Sequence, residues 1–520
     1  MPTLPSYDQV PYESFALPET HPDYLATLGR LLGVPAAAPE RCRVLELGSA
    51  AGGNLIPMAY GLPDSRFVGV ELGADQARRG QAMIADLGLA NIRLLHQDIM
   101  DVDEDQDPFD YILVHGVYSW VPEAVQGQIL HLCGRLLAPH GIAYVSYNVL
   151  PGWRSRGMLR DMLLLRTRGA DSAAERLGLA HGLLDMLAAG LAGDPRSEAE
   201  VLRREVEYLR KARASYLYHE YLEETNTPVL LSDFLDRALG QGLRYLADTQ
   251  LHTMFVSTLG PAAQEVLAGI EPQAAQEQAM DFLTLRPFRR TLLVRAGLDP
   301  DLDIDLNRLY EFGLYADLRP VAPAVLDRVE SQTYASAAEG RWQVEHPLTK
   351  ALLAELAPLY PNALPLGILL ERARGLVAAV GEGRHAEDAD ACLGELFSLY
   401  ASQAIRLTGR TATWPTTVGD RPCASPLARA QAASGEGHAA TARHRSLGLD
   451  ALSARLLTLL DGQRDRAVLV AELIQVIGAE PALAAGLAAA SGDGTALEAA
   501  VAANLDRLLR VYAREGLLVG

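Results

Sequence analysis

The sequence predicts an α/β domain in its first part, a mostly α-helical middle region, and winged-helix-like units towards the C-terminal end. Three observations support this prediction. Before residue 150, five short apolar runs alternate with helical patterns, as in a buried and mostly parallel sheet. From about residue 160, Ala and Leu recur at helical spacing instead. Two later stretches then repeat the same order of helices and a short apolar strand.

The first apolar run, residues 43–47, leads into a turn of small residues, Gly48-Ser-Ala-Ala-Gly-Gly, and Asn54 then opens a helical pattern. Such a strand, turn and helix N-terminus predict a nucleotide-type pocket, because small residues let the backbone approach a ligand closely. The spacing is G-x-A-x-G, so the glycines that admit a pyrophosphate in dinucleotide binders are missing. Glu46, two residues before the first glycine, favours a cationic ligand instead.

The next two apolar runs are also followed by acidic residues. Residues 67–71 end at Glu71, which lies 25 residues after Glu46, near the spacing at which a carboxylate meets a ribose diol. The third run, residues 91–95, precedes Asp98, whose carboxylate can accept a hydrogen bond from an adenine amino group. A fourth strand is predicted at residues 109–114 and a fifth at residues 141–147.

Taken together, these strand-end motifs resemble those of class I S-adenosylmethionine-dependent methyltransferases, which have a Rossmann-like sheet. The resemblance implies S-adenosylmethionine as the cofactor and no metal. The residues expected to contact the cofactor are Tyr12, Glu46, Gly48, Ala50, Gly52, Asn54, Glu71, Leu72, Asp98, Ile99 and His115. Ala50 stands where the family pattern has glycine, a change that we expect only to tighten the turn.

Length and composition narrow the class of protein. A chain of 520 residues predicts two to four domains. No apolar run approaches the ~18–20 residues of a membrane-spanning helix, and the N-terminal sequence lacks the pattern of a signal peptide. The cysteines have no C-x-x-C spacing, which argues against a zinc site or a disulfide framework. A cytoplasmic protein without membrane insertion is predicted.

The net charge of −19 disfavours nonspecific nucleic-acid binding and favours basic partners. Lys211 and Lys350 are the only lysines among 46 Lys and Arg residues. A GC-rich genome is the main explanation for this bias. A lysine-modifying enzyme that avoids modifying itself would show the same bias.

The N-terminal segment, residues 1–40, is rich in Tyr and Pro. Segments that precede the first strand in this fold often close over the cofactor, which would bring Tyr7, Tyr12 and His21 near it. Packing on the surface alone is the alternative. Asp23 is predicted to cap the amphipathic helix that follows it.

The middle region carries a more specific resemblance. It contains H-E-Y-L-E at residues 219–223 and F-R-R-T-L-L at residues 288–293. Together with Y-D-Q-V-P-Y, T-H-P-D, E-L-G-S-A-A-G-G-N, G-V-Y-S-W-V-P and P-G-W, these motifs resemble class I enzymes that carry a methyltransferase regulatory domain. That group includes the rickettsial-type outer-membrane-protein lysine methyltransferases. The match covers residues 5–300 well and implies a protein substrate that presents lysines, although it does not by itself specify the substrate.

Residues 396–407 align without gaps on residues 508–519, and a pair of amphipathic helices precedes each stretch. This order predicts two tandem winged-helix-like units. Neither carries a basic recognition stripe, so protein interaction or dimerisation is favoured over DNA binding, and a homodimer is one form that dimerisation would take.

The predicted divisions are a cofactor-covering segment (1–40), the methyltransferase core (41–160), a helical regulatory domain (161–330), a winged-helix-like domain (331–410), a linker with little regular structure (411–444) and a second winged-helix-like unit (445–520).

The loop after strand four, where the methyl acceptor arrives in this fold, supplies the catalytic candidates. Tyr118 and Trp120 can form an aromatic wall around an alkylammonium group. His115 and His219 are candidate proton acceptors, because a lysine of pKa ~10.4 must lose a proton before it attacks. Each has a structural alternative: a histidine held by packing, or a tryptophan that anchors the loop. The loop lacks the N-P-P-Y, D-P-P-Y and P-C sequences of DNA methyltransferases.

Two functions remain open at this stage. The first is a protein lysine methyltransferase whose helical and winged-helix parts grip an extended substrate. The second is a small-molecule or peptide methyltransferase of a biosynthetic pathway, with helical domains that serve dimerisation. A non-enzymatic, cofactor-sensing adaptor is disfavoured because Glu46, Glu71 and Asp98 are all present.

Overall fold

The fold is described from a computed structural model, which covers residues 14–301, 303–336, 340–380, 385, 387–479 and 497–519. Its centre is a seven-stranded sheet with the strand order β3-β2-β1-β4-β5-β7-β6. The strands are β1 Arg43–Leu47, β2 Arg66–Glu71, β3 Ile92–His96, β4 Phe109–Val114, β5 Leu137–Asn148, β6 Leu243–Asp248 and β7 Phe288–Arg295. The first five run parallel, and β7 is antiparallel to both β5 and β6.

The five strands predicted from the sequence are confirmed, whereas β6 and β7 lie in the region predicted to be helical. The pattern of β7 is obscured by Arg289, which is fully buried in the strand. Its guanidinium donates to Asp281 at 2.8 Å and to Glu277 at 2.9 Å, and these carboxylates offset the cost of burying a charge. A buried arginine in a strand does not register as an apolar position, so the alternation is lost.

Apolar side chains of the sheet alternate between two clusters. Val44 of β1 belongs to the cluster that includes Leu28 and Met58, while the next residue, Leu45, belongs to the cluster that includes Ile129 and Phe234. Successive side chains of a strand point to opposite faces, so both faces of the sheet are covered by helices. These helices are Pro22–Leu31 and Leu55–Gly61 on one face and Glu123–Leu136 and Leu231–Leu239 on the other, with Ala74–Asp86 packed against β2 and β3.

Between β5 and β6 the chain forms a helical layer with its own apolar core, which includes Leu159, Leu184 and Leu209. Its helices are Leu150–Thr167, Ala173–Gly190, Ser197–Lys211 and Ala214–Leu217, followed by a π-helical turn at Tyr218–Leu222. Two further helices, Pro261–Leu267 and Gln273–Thr284, lie between β6 and β7. The mostly helical middle region is therefore confirmed.

The two C-terminal repeats have the same topology. In the first C-terminal unit (residues 306–410), β8 Gly313–Tyr315 pairs on one side with β12 Leu364–Pro365 and on the other with β13 Arg406–Thr408. Its helices are Pro347–Leu356, Leu366–Val380 and Ala389–Ala401. A separate sheet joins β9 Leu318–Pro320, β10 Gln332–Ser336 and β11 Arg341–Val344.

In the second C-terminal unit (residues 420–519), the chain at Cys423 and Ala424 lies between Asp461 and Leu518, as β8 lies between its neighbours. The helices that correspond to those of the first unit are Ala451–Leu459, Arg466–Ala479 and Leu497–Arg514. The internal repeat seen in the sequence is thus a repeat in structure.

The prediction of a linker at residues 411–444 is wrong for its second half. This part contains the helix Pro426–Ser434 and strand β14 His438–Ala440, which pairs with β15 Ser446–Gly448. The helix is rich in alanine, and Leu427 is its only large apolar residue, so its composition looks like that of a linker. Ala428 and Ala439 are nonetheless fully buried in the core of the second C-terminal unit.

In the part of the chain that the structure describes, no helix combines the length and the apolar character that crossing a membrane requires.

Candidate active site

The turn after β1 has an unusual backbone. Gly48, Ala50 and Gly52 all have positive φ angles, of 76°, 46° and 78°. Ala50 therefore does more than tighten the turn, because an alanine pays roughly 1–2 kcal/mol to adopt the left-handed conformation that glycine adopts freely. The Ala50 amide donates a hydrogen bond to Glu71 at 2.8 Å, which fixes the turn against the end of β2.

Glu46, near the end of β1, is buried beneath this turn. Its Oε1 atom accepts a hydrogen bond from Asn54 Nδ2 at 2.7 Å, while its Oε2 atom is buried without a partner. Burial raises the pKa of Glu46 to about 8, and the nearby Glu71 acts in the same direction. A buried carboxylate oxygen without a donor is suited to a cationic group of a ligand.

Asn54 joins three parts of the chain. While Nδ2 faces Glu46, Oδ1 accepts hydrogen bonds from the Leu17 amide and the Thr20 hydroxyl, both at 3.1 Å, and lies 2.9 Å from His444 Nε2. Asn54 precedes the helix Leu55–Gly61 but does not cap it with its side chain. Its role is to connect Glu46 with the N-terminal segment and the second C-terminal unit.

The N-terminal segment lies directly on the turn. Ser14 Oγ accepts from the Gly53 amide at 2.8 Å, and a Cβ atom at Gly53 would lie only 2.0 Å from the Ser14 carbonyl oxygen. Tyr7 and Tyr12 lie outside the described residues. The predicted helix cap at Asp23 is wrong: His21 caps the helix Pro22–Leu31, because the Asp23 carboxylate is engaged by the Thr408 hydroxyl at 2.6 Å.

The ends of β2 and β3 form an adjacent edge. Glu71 Oε1 accepts from the Gly73 amide at 2.6 Å, and Leu72 is 59% exposed. Asp98 caps a short 3₁₀ turn by accepting from the Met100 amide, and Ile99 follows it, half-buried. Since Glu71 and His96 are paired across the two strands, this edge places two carboxylates beside exposed apolar side chains.

His115 follows β4 at the same edge of the sheet. Its Nδ1 atom lies 2.9 Å from the Tyr144 hydroxyl and 3.4 Å from Ser146 Oγ. Burial lowers the pKa of His115 to about 4, although the negative charge of Glu19 opposes this shift. The imidazole is therefore neutral at pH 7, as a proton acceptor requires, but Nδ1 is occupied by hydroxyl groups of β5.

Two aromatic residues were predicted to form a wall on the loop after β4, and they lie in different environments. Tyr118 is fully buried, with its ring edge-on to Phe234 at 5.2 Å, and belongs to the core between the sheet and its helices. The expectation that Tyr118 lines the path of the acceptor is therefore not supported. Trp120 is half-buried and lies edge-on to Trp153 at 6.1 Å, which in turn lies 5.8 Å from the ring of Tyr221.

The π-helical turn Tyr218–Leu222 brings the middle region to this loop. The Thr227 amide, just after the turn, donates to the Ser119 carbonyl at 2.8 Å. His219 is buried, with Nδ1 2.9 Å from a carboxylate oxygen of Glu223, so its ring is held in place by packing. Burial raises the pKa of Glu220 to about 7, although the guanidinium of Arg156 opposes the shift.

Three residues of this region were not predicted from the sequence: Trp153 and Tyr221, whose rings continue from Trp120, and His444. The first two stand in the quoted motifs P-G-W and H-E-Y-L-E, so the signal was present in the sequence. No local signal marks His444, which meets Asn54 across 390 positions of the chain. Among the described residues, no group of three His, Cys, Asp or Glu side chains is arranged to hold a metal ion.

Three families match parts of this chain. The family "Methyltransferase domain" matches residues 44–141, the family "Predicted methyltransferase regulatory domain" matches residues 213–295, and the family "PKMT, C-terminal winged helix domain" matches residues 420–517.

Similar proteins come from Rickettsia. The structure of PKMT2 from Rickettsia typhi is similar over 98% of this chain and 100% of its own, with 28% identity and a TM-score of 0.85, and PKMT2 has also been solved in complex with AdoHcy. The uncharacterised protein RP028 of Rickettsia prowazekii (strain Madrid E) is 37% identical over 45% of this chain and 93% of its own length. RP789 of the same organism is 39% identical over 61% of this chain. The match covers 57% of the length of RP789.

Proposed function

Because the chain belongs to the class I S-adenosylmethionine-dependent methyltransferases that carry a methyltransferase regulatory domain, we propose that it transfers methyl groups to lysine side chains of a protein substrate. The observation that carries the proposal is the likeness to PKMT2, a protein named as a lysine methyltransferase. That likeness extends through the whole chain, including the second C-terminal unit, rather than through the methyltransferase core alone.

The residues at the edge of the sheet fit S-adenosylmethionine. The unpartnered Oε2 of Glu46 would accept from its amino group, and the Glu71 carboxylate would bind the ribose hydroxyls. Asp98 would accept from the adenine amino group, with Leu72 and Ile99 as the apolar surface for the base. The bound cofactor supplies an electrophilic methyl group on a sulfonium. The protein residues orient it and keep its charged ends in place.

The acceptor would enter on the other side of the loop after β4. Trp120, Trp153 and Tyr221 form a continuous set of aromatic rings, of which only the half-buried Trp120 is open to an acceptor, while Trp153 and Tyr221 are buried and support it. The ring of Trp120 suits the methylene chain and the ammonium of a lysine. Glu220 lies on the neighbouring π-helical turn and provides negative charge on this side. We assign it the role of holding the ammonium and accepting the proton that lysine must lose before attack.

The test is methylation of a lysine-rich protein with isotopically labelled cofactor, followed by mapping of the label by mass spectrometry. Label on lysine nitrogen is expected, and it should disappear when those lysines are blocked by acetylation or replaced by arginine. Label only on other side chains, or only in a small-molecule acceptor, would contradict the proposal.

Self-methylation of the enzyme should contribute little label in this assay, because the chain has only two lysines. Lys350 is fully buried, with Nζ donating to the carbonyl oxygens of Glu330 and Val325, whereas Lys211 is exposed. Self-methylation on a lysine side chain therefore has a single exposed candidate, and Lys211→Arg removes it.

Two substitutions locate the acceptor side. Trp120→Ala and Glu220→Gln should each lower turnover at least tenfold while changing the affinity for AdoHcy less than twofold, because neither side chain would contact the cofactor. Tyr208→Ala, at a half-exposed ring on the helical layer, is the matched control and should leave turnover unchanged. Equal losses of turnover and of AdoHcy affinity would make the Trp120 loop a structural element.

A further inference from the structure

The second C-terminal unit contacts the turn after β1 through a hairpin, residues 438–448. We call this turn the cofactor turn, after its proposed role. In the hairpin, His438 Nε2 lies 3.0 Å from the Ser14 carbonyl oxygen, and Ser446 Oγ accepts from the Ala16 amide at 3.0 Å. These two contacts hold the N-terminal segment from outside. The third contact joins His444 directly to Asn54, the residue that follows the turn.

The hydrogen-bond directions around Asn54 are fixed by the backbone amide of Leu17. This N–H group can only donate, so the Asn54 carbonyl oxygen must face Leu17 and His444, and the Asn54 amide nitrogen faces Glu46. His444 must therefore donate from Nε2, in the neutral Nε2–H form. Burial lowers the pKa of His444 to about 3, and Arg410 acts in the same direction, so the neutral form is the one present at pH 7.

The backbone conformation at His444 also indicates that its side chain has a specific role. Its φ angle is 54°, in the left-handed region where a residue other than glycine is strained. The ring is 5% exposed and lies 5.0 Å from the ring of His21, the residue that caps the first helix. A glycine or asparagine would fit this backbone better, so the side chain is the feature that accounts for histidine here.

We propose that His444 is a positioning residue of the cofactor site: together with the Leu17 amide and the Thr20 hydroxyl it holds the Asn54 side chain that orients Glu46, and it thereby makes the second C-terminal unit a part of the site that binds S-adenosylmethionine. The inference rests on the proposed role of Glu46 in holding the amino group of the cofactor. It gives the second C-terminal unit a role that its winged-helix topology alone does not imply.

The experiment is calorimetric titration of the full chain with AdoHcy, without any turnover. His444→Ala should weaken binding about tenfold, because it removes one of the three hydrogen bonds that hold the buried Asn54 side chain in place. His444→Gln, whose amide nitrogen reaches to a similar distance and can donate, should stay within about threefold of the natural protein. Arg445→Ala is the matched control, since the neighbouring side chain is exposed and contacts Tyr360 instead of Asn54.

A double-mutant cycle separates positioning from general loosening. In a Glu46→Gln background, His444→Ala should have almost no further effect on AdoHcy affinity, because the group it orients is gone. An undiminished tenfold loss in that background would overturn the inference, as would full affinity of His444→Ala when Glu46→Gln weakens binding. If Glu46→Gln itself leaves the affinity unchanged, the proposed cofactor contact fails and the inference falls with it. Thermal melting of each variant verifies that it is folded.

Discussion

The two C-terminal units share one topology but attach to the methyltransferase core in different ways. The apolar core of the first unit, with Leu352 and Leu399, is continuous with the cluster that covers one face of the central sheet. The second unit has an apolar cluster of its own, which includes Leu456 and Leu509. A repeated fold has thus become an integral layer in one copy and a docked domain in the other.

Their polar contacts differ in the same way. The first unit holds the first helix, through Thr408 and the Gly409 amide on the Asp23 carboxylate. The second unit holds the cofactor turn, through His444 on Asn54. One copy therefore supports the scaffold while the other reaches the site, and substitutions at matched positions should separate these roles.

The largest expected effect comes from the two cores. Leu352→Ala and Leu456→Ala each remove a fully buried leucine, and each should lower the free energy of unfolding of its cooperative unit by about 3 kcal/mol. Calorimetry should show Leu352→Ala lowering the main transition, whereas Leu456→Ala should split off an earlier transition for the second unit. A single lowered transition in both variants would mean that the two units are equally integral.

The next effect is pH dependence at the docked unit. Burial holds the pKa values of His21 and His444 below the 6.5 of an unfolded histidine, with Arg410 facing both, and Arg443 and the Asp23 carboxylate also near His21. Below pH 6.5 the unfolded chain therefore binds more protons than the folded chain. The contribution of these two histidines to the free energy of unfolding is fully present above pH 6.5 and is lost as the pH falls.

By pH 5 the loss should reach up to about 2 kcal/mol per histidine. Denaturant unfolding at pH 7 and pH 5 measures it, with the double variant His21→Asn, His444→Gln as the comparison. A pH dependence as steep in that variant would assign the loss to other groups.

A smaller effect is expected at the contact of the first unit. Thr408→Val keeps the shape of the side chain and removes its 2.6 Å hydrogen bond to Asp23, which should cost about 1 kcal/mol of stability. Because this contact does not reach the turn, affinity for AdoHcy should stay unchanged. A loss of affinity comparable with that of His444→Ala would erase the difference between the units.

The smallest effect concerns the turn. Ala50→Gly relieves the left-handed strain of alanine but increases the conformational freedom of the unfolded chain, so a net gain of about 0.5 kcal/mol is expected. Equilibrium unfolding gives the sign. A loss of stability would mean that the alanine methyl group contributes packing beyond its backbone cost.

The first five strands could be predicted from the sequence because they are apolar runs with clear ends. Glu46, the turn and Glu71 are each defined by a few neighbouring residues, so the sequence alone identifies them as candidates, and their roles stay predictions. Strand β7 was missed because its buried Arg289 is neutralised by residues outside the strand. Local pattern also cannot tell whether an aromatic residue after a strand turns inward, which is why Tyr118 and Trp120 looked equivalent.

Apart from the linker, the bounds of the predicted domains stay predictions, as do the absence of nucleic-acid binding, the cytoplasmic location and the homodimer. The contacts that complete the candidate site, such as those between Asn54 and His444, join segments with no shared sequence signal. They follow from how the second C-terminal unit docks, which depends on packing over the whole molecule.

The contacts of the hairpin at residues 438–448 also set an order of events in folding. The hairpin contacts Ser14, Ala16 and Asn54, each from more than 380 positions away in the sequence. These contacts are therefore among those that close the longest loops during folding. During synthesis, the sheet and the turn can form while the hairpin is still unmade. A nascent or prematurely ended chain would then hold a methyltransferase core whose Asn54 lacks its contact with His444, and the cofactor site would mature only after the last domain is in place.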